Sequence, residues 1–412
     1  MNNFEDFCTS FVQSVGGKEG AVSPALINSA SFGYGSPETA EGIFDGSVKK
    51  PLYSRVGNPT TTQLESIIAQ MDGGIGAVAT SSGMGATTLA TMSLLSSGDE
   101  IISIGGLFGG TYALFSETLA RFGIKTSFFD VDELQAIANA ISDKTKIIFL
   151  ESVGNPNMRL PDIKAIAKIA NDAGVVLIVD NTITPMSVSP LSLGADIVVY
   201  STTKIISGNA SALGGCAVFR AISDGEDKFK TSRYSDIHKI IKNVGKMALI
   251  AVAKKRALRD FGMSANANAS YLTMLGLETL ALRMPRIVNS VEVIAKELSK
   301  NALVVNHPSL PSHPHHQRYL NDFANGCGTL LTIDMDTKQR AFEFLRRTKL
   351  ATITANIGDS RTLALHMSST IYSDFDKVTK TFLGVTDGLI RISIGLENPQ
   401  DIIDDFLNAA DL

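Results

Sequence analysis

The chain has 412 residues, 44% of them hydrophobic and 19% charged, with a formal net charge of −4. That length exceeds one simple core and predicts two domains, and the mild acidity argues against a nucleic-acid partner, which needs a basic face. The opening "MNNFEDFCTSFVQS" lacks the basic patch and apolar block of a signal peptide, and Cys8, Cys216 and Cys327 show no CxxC spacing. No apolar run approaches the roughly 20 residues of a membrane span, so a soluble cytoplasmic protein without disulfides, metal or a membrane partner is expected.

Residues 1–60 are rich in Gly, Ser, Pro and Asn, show little periodicity, and predict an extended arm. From "TTQLESIIAQMDGG" onward, residues 61–262 alternate short apolar strands with helical patterns. Seven strands are predicted, at "GAVATS", "DEIISIGG", "KTSFFD", "KIIFLES", "VVLIVDN", "DIVVYST" and "GGCAVFR", with amphipathic helices such as "DELQAIANAI" and "DIKAIAKIANDAG" between them. This is the pattern of an α/β fold: a mostly parallel seven-stranded sheet covered on both faces, with ligands beyond the strand C-termini. A long helical stretch, "ASYLTMLGLETLALRMPRIVNSVEVIAKELSKN", then opens a smaller C-terminal α/β domain over residues 263–412.

Several strand ends carry polar groups that a packed core does not need. "VVLIVDNT" ends in Asp180, "DIVVYSTTK" in Ser201, Thr203 and Lys204, and "KIIFLESVGNP" leads to Asn155. A lysine, a carboxylate and hydroxyls converging on one sheet edge suit pyridoxal phosphate (PLP). Its aldehyde forms a Schiff base with a lysine amine, its ring nitrogen needs an aspartate to stay protonated, and its phosphate wants hydroxyls and helix N-terminal amides. "TSSGMGATTLATMSLL" offers those amides near Gly83 and Met84. Taken singly, Asp180 is a turn residue, Lys204 a surface cation and the Ser-Ser-Gly turn an N-cap; the combination carries the weight. "GGIGAVA" places Gly74, Gly76 and Ala79 in a dinucleotide-fingerprint order, but with a helix before it and a strand after it. That inverted context rejects a nicotinamide site.

With these residues in place, the chain resembles the Cys/Met-metabolism family of PLP-dependent enzymes. The resemblance rests on "YSRVGNPTTTQLE", "TSSGMGA", "LFGGTYALF", "ESVGNP", "VDNT", "STTK" and "RISIGLEN", in the family's order. It implies the fold type I (aspartate aminotransferase-like) architecture and a homotetramer of two catalytic dimers. It further implies that Lys204 binds the cofactor covalently and shuttles protons, and that Asp180 pairs with its ring nitrogen. Ser201, Thr203 and the amides of Gly83 and Met84 would hold the phosphate, and Asn155 would lie near the 3-hydroxyl. Tyr53 and Arg55 would reach the neighbouring subunit's phosphate, with Tyr53 also assigned to catalysis beside Lys204 and Asp180; Arg391 would bind the substrate carboxylate, and Asn356 is assigned with it to the substrate. Phe108 would stack on the ring where the family usually has tyrosine, and Ile205 replaces the usual aromatic residue after the lysine.

Within the family, "ANIGDSRTLALH", "GLETLALRM" and Gly110 in "FGGTY" are similar to the O-acetylhomoserine sulfhydrylases. Met367, where proline is common, and a short segment after Gly215 depart from them. The implied reaction is γ-replacement on an activated homoserine by sulfide or a thiol, so the partners are a small amino-acid substrate and a sulfur donor. Methionine γ-lyase and the cystathionine synthase and lyase activities remain open alternatives, as do the homoserine ester, a protein sulfur carrier and a non-catalytic binding protein. "HPSLPSHPHHQ" gathers His307, His313, His315 and His316 among prolines and predicts a mobile surface loop rather than a metal site. Tyr112 and Tyr319 are read as packing residues.

Overall fold

The computed structural model describes residues 4–17, 21–223 and 227–411. Its larger sheet contains β1 (Gly76–Thr80), β2 (Glu100–Ile104), β3 (Lys125–Phe129), β4 (Thr145–Glu151), β5 (Val176–Asp180), β6 (Ile197–Tyr200) and β7 (Gly215–Phe219). The spatial order is β1-β7-β6-β5-β4-β2-β3, and β7 runs antiparallel to both its neighbours while the other pairs are parallel. The seven apolar runs of the sequence are these seven strands. They read as continuous rather than alternating because both faces are covered: Ile147 and Phe149 pack into one core, Ile148 and Leu150 into another.

The smaller sheet holds β8 (Val304–Asn306), β9 (Leu330–Asp334), β10 (Thr352–Ile353), β11 (Leu363–His366) and β12 (Leu389–Ser393), in the order β10-β11-β12-β9-β8. The helices Leu280–Lys300, Lys338–Arg347 and Pro399–Ala409 cover one face of it, where Ile390 and Ile392 are buried. Side chains alternate along a strand, so Arg391 between them points the other way, toward the larger sheet. The helix Leu280–Lys300 belongs to both cores, with Leu280 and Met284 packed under the first sheet and Ile287, Val291 and Ile294 under the second. Among the described residues, no helix is long and apolar enough to cross a membrane.

Two expectations are corrected. The first 60 residues are not simply an extended arm: they contain α1 (Phe4–Val15) and α2 (Pro37–Asp45). Phe4, Phe7, Phe11 and Val15 recur at helical spacing and pack α1 against Leu64, Ile67 and Ile68 of α3 (Pro59–Asp72) and against Met274 and Leu277. The second helix starts where Ser36 Oγ accepts the Thr39 N–H at 3.1 Å and stops at Gly46, whose φ is +86°.

The histidine segment is likewise packed rather than a mobile surface loop. His307, His313 and His315 are all buried. His307 lies between Ser309 Oγ (2.7 Å) and Cys327 Sγ (3.2 Å), while His315 accepts the Leu160 N–H and faces Asp132 (3.0 Å). Prolines here fix a compact path that lets imidazoles satisfy buried backbone groups.

Phe11 tests the packing of α1. Phe11→Ala should cost about 3 kcal/mol, a buried phenyl left as a cavity, and lower the thermal midpoint, whereas Gln13→Ala on the exposed face should leave the stability unchanged within about 0.5 kcal/mol.

Candidate active site

A cavity of about 220 Å³ opens at the C-terminal ends of β4, β5 and β6, under the edge of the smaller sheet. Its lining includes Gly83, Met84, Phe108, Asn155, Asp180, Ser201, Thr203, Lys204 and Arg391. Parallel strands ending side by side bring these distant residues together, at the position where such sheets bind ligands.

On one side of the cavity, α4 (Gly83–Met92) begins with its N-terminus exposed to the space. Ser82 caps it by accepting the Gly85 N–H at 3.0 Å, which leaves the first-turn amides of Gly83 and Met84 without intrahelical acceptors. Gly83 must be glycine for a steric reason: a Cβ there would lie 2.5 Å from Ser201 Cβ. The close approach sets a helix N-terminus beside Ser201, a concave cradle for an anion. Ser201 itself is held by its N–H to Thr182 Oγ1 at 2.8 Å. The Thr203 hydroxyl is engaged both ways with Gly214, donating to its carbonyl at 3.1 Å and accepting its N–H at 3.0 Å. It offers an anion a proton only by turning away from that carbonyl.

Lys204 Nζ donates to Asn356 Oδ1 at 2.7 Å. Burial, and then the nearby Arg391 cation, lower its pKa to about 8. Asp180 accepts the Thr182 N–H at 2.9 Å, and burial raises its carboxyl above the ordinary range. Arg391 is 3% exposed, with Nη1 3.2 Å from Asn155 Oδ1 and Nη2 3.4 Å from the carbonyls of Ala355 and Asn356. All of these acceptors are neutral. A buried guanidinium with only neutral partners keeps its charge for an incoming anion.

Tyr53 and Arg55 do not line this cavity. Tyr53 is exposed, and Arg55 bonds the Arg259 carbonyl at 2.6 Å while lying 5.8 Å from the Tyr53 ring.

Two residues of the site were missed from sequence. Glu151 ends β4 in register with Asp180 and accepts the Phe108 N–H at 2.7 Å. Burial and then the Asp180 charge push its carboxyl well above the usual range. It carries the same signal as Asp180, a polar residue closing an apolar run, four positions before Asn155. Tyr372, fully buried, donates to the Asn155 carbonyl at 2.9 Å and reaches the Leu107 carbonyl at 3.3 Å. Nothing in the sequence around it distinguishes it from a core tyrosine.

An amine of lowered pKa, a buried carboxylate and an anion cradle fit pyridoxal phosphate in chemistry and in placement. A model of the Cys/Met metabolism PLP-dependent enzyme family matches residues 9–411. The chain belongs to that family. It is 35% identical over 392 residues to the O-acetyl-L-homoserine sulfhydrylase 1 of Thermus thermophilus, covering 92% of each chain. It is also 36% identical over 373 residues to the homocysteine synthase of Schizosaccharomyces pombe (88% of this chain, 87% of that one). A Fusobacterium nucleatum L-methionine gamma-lyase is 32% identical over 395 residues, with 94% of this chain and 92% of that one covered. A Campylobacter jejuni crystal structure, described as an O-acetylhomoserine (thiol)-lyase with a pyridoxyl-lysine-5'-monophosphate, superposes with a TM-score of 0.91 at 31% identity, covering 100% of both chains. The protein is therefore a PLP-dependent enzyme of the fold type I architecture.

Only the neutral Lys204 amine can attack an aldehyde, so cofactor capture should accelerate through about pH 8 and level off above it. Removing the Arg391 charge favours the ammonium and should move that rise to higher pH. Stopped-flow absorbance of the apo protein mixed with pyridoxal phosphate, with and without Arg391→Met, measures both; an unmoved midpoint would exclude Arg391 as a cause.

Proposed function

We propose that the protein is an O-acetylhomoserine sulfhydrylase, a γ-replacement enzyme of methionine biosynthesis. O-acetylhomoserine and hydrogen sulfide give homocysteine and acetic acid; a thiol in place of sulfide gives the thioether, methionine from methanethiol. The observation that carries this reading is the ring at the cavity wall: Phe108 supplies a stacking face and no hydroxyl. Expelling acetate from Cγ needs little proton donation, because its conjugate acid has a pKa of roughly 4–5, whereas a thiolate leaves from a thiol near 8.5. Two of the sulfhydrylase and synthase relatives match at 35% and 36% identity.

Pyridoxal phosphate, when bound, supplies an electron sink that acidifies the substrate's Cα–H and Cβ–H bonds. Lys204 anchors it and, once its amine is free, takes the Cα proton; a pKa of about 8 leaves part of the population neutral at pH 7. Asp180 holds a proton on the ring nitrogen. Ser201 and the Gly83 and Met84 amides receive the phosphate, with Thr203 joining when its hydroxyl turns from Gly214. Arg391, aimed by Asn155 and the Ala355 and Asn356 carbonyls, takes the substrate α-carboxylate as a two-pronged fork. Tyr53 and Arg55, outside this chain's cavity, are assigned to the phosphate of a neighbouring copy, in a homotetramer of catalytic dimers.

The second reading, methionine γ-lyase, has the Fusobacterium relative in its favour. Purified, PLP-loaded protein should form homocysteine from O-acetylhomoserine plus sulfide and release almost no 2-oxobutyrate from methionine; rapid 2-oxobutyrate release would make it a lyase. Restoring the phenol should assist thiol departure, so Phe108→Tyr should raise 2-oxobutyrate release from methionine by about tenfold while changing homocysteine formation less. No gain would refute the role given to the missing hydroxyl.

A further inference from the structure

Each of three strand ends at the cavity has a chain neighbour on the opposite side of the sheet. Glu151 is followed by Ser152, Asp180 by Asn181, and Ser201 is preceded by Tyr200. These three neighbours lie on one buried hydrogen-bond chain. Ser152 Oγ is 2.7 Å from Thr184 Oγ1, which donates to Asn181 Oδ1 at 2.6 Å. Asn181 Nδ2 donates to the Tyr200 hydroxyl at 2.9 Å, and that hydroxyl donates to Asp72 Oδ1 at 2.7 Å.

The directions are fixed by counting protons. Thr184 commits its single proton to Asn181, so Ser152 is the donor to Thr184. Tyr200 accepts from Asn181 and commits its own proton to Asp72. Every donor therefore points toward Asp72, the last residue of α3, which lies outside the cavity lining. All five residues are buried, where a broken link leaves a polar group without water to replace its partner. The other Asp72 oxygen, Oδ2, has no hydrogen-bond partner among the described residues.

We propose that Asp72 and Tyr200 are positioning residues for the cofactor: through Asn181, Thr184 and Ser152 they lock the strand ends bearing Ser201, Asp180 and Glu151, and so set cofactor affinity. The inference rests on the assignment of Asp180 and Ser201 to the cofactor made above. It adds a part of the chain, the end of α3, that touches none of the reacting groups.

The test is titration of apo protein with pyridoxal phosphate, following the visible absorption of the bound form, alongside the thermal midpoint of each apo protein. Asp72→Asn keeps an acceptor oxygen and should bind within about threefold of the parent, while Asp72→Ala should bind about tenfold more weakly. Tyr200→Phe and Thr184→Val break the chain at other links with little change of shape, and each should weaken binding by about tenfold with a shifted absorption band. These two decide the matter if Asp72→Ala does not fold. Unchanged affinity in Tyr200→Phe and Thr184→Val, even with lowered thermal midpoints, would overturn the proposal by showing a purely structural network. Failure of the parent protein to take up the cofactor would overturn the cofactor assignments and this inference together.

Discussion

The site depends on holding an amine at the end of a core strand with a second cation nearby. Lys204 and Arg391 both line the cavity, and neither has a carboxylate among its described hydrogen-bond partners. In a low-dielectric space their repulsion and their desolvation act in the same direction. The lysine yields, to about 8, while the guanidinium at about 10 stays charged at neutral pH. That division suits a covalent anchor and a carboxylate fork in one cavity. Opposite them, Asp180 and Glu151 close adjacent strands in register, and burial raises both carboxyls. Backbone N–H groups of Thr182 and Phe108 hold these acids in place.

The architecture makes such a cluster possible with few residues. Parallel β4, β5 and β6 end at a common level, so one polar position per strand suffices to build a wall. Strand alternation sends the adjacent residue of each strand end to the opposite face, where Ser152, Asn181 and Tyr200 meet. The smaller sheet and the segments joining its strands supply what the larger cannot: Arg391 from β12, Asn356 against the lysine, and Tyr372 donating to the Asn155 carbonyl. From this side Ala355, Ile357 and Arg391 complete the cavity wall.

Much of this was legible because the physics that shapes the sheet is local. Apolar runs bounded by turns reveal buried strands, and a lysine or aspartate directly after such a run is conspicuous. Helix α1 escaped, although Phe4, Phe7, Phe11 and Val15 recur at helical spacing, because the Gly, Ser and Asn content of the following segment masks a four-residue stripe. The buried histidines could not be read, since whether an imidazole faces water or the Leu160 amide is decided by a segment 155 residues away. Tyr372 and Asp72 escaped for the same reason. Their partners lie 217 and 128 residues distant, and nothing in their neighbours records the contact.

The residue at 108 and the glycine at 110 are one feature rather than two. A Cβ placed on Gly110 would meet Phe108 Cε1 at 2.7 Å, so the ring leans directly over the missing side chain. Any larger residue at 110 must push that ring or be pushed by it. On the other side, the Phe108 N–H is fixed by the buried Glu151 carboxyl. With its backbone held there, a bulkier residue 110 meets the Phe108 ring directly. The ring at 108 and the absence of a side chain at 110 are therefore coupled through sterics: any side chain at 110 requires the ring to move.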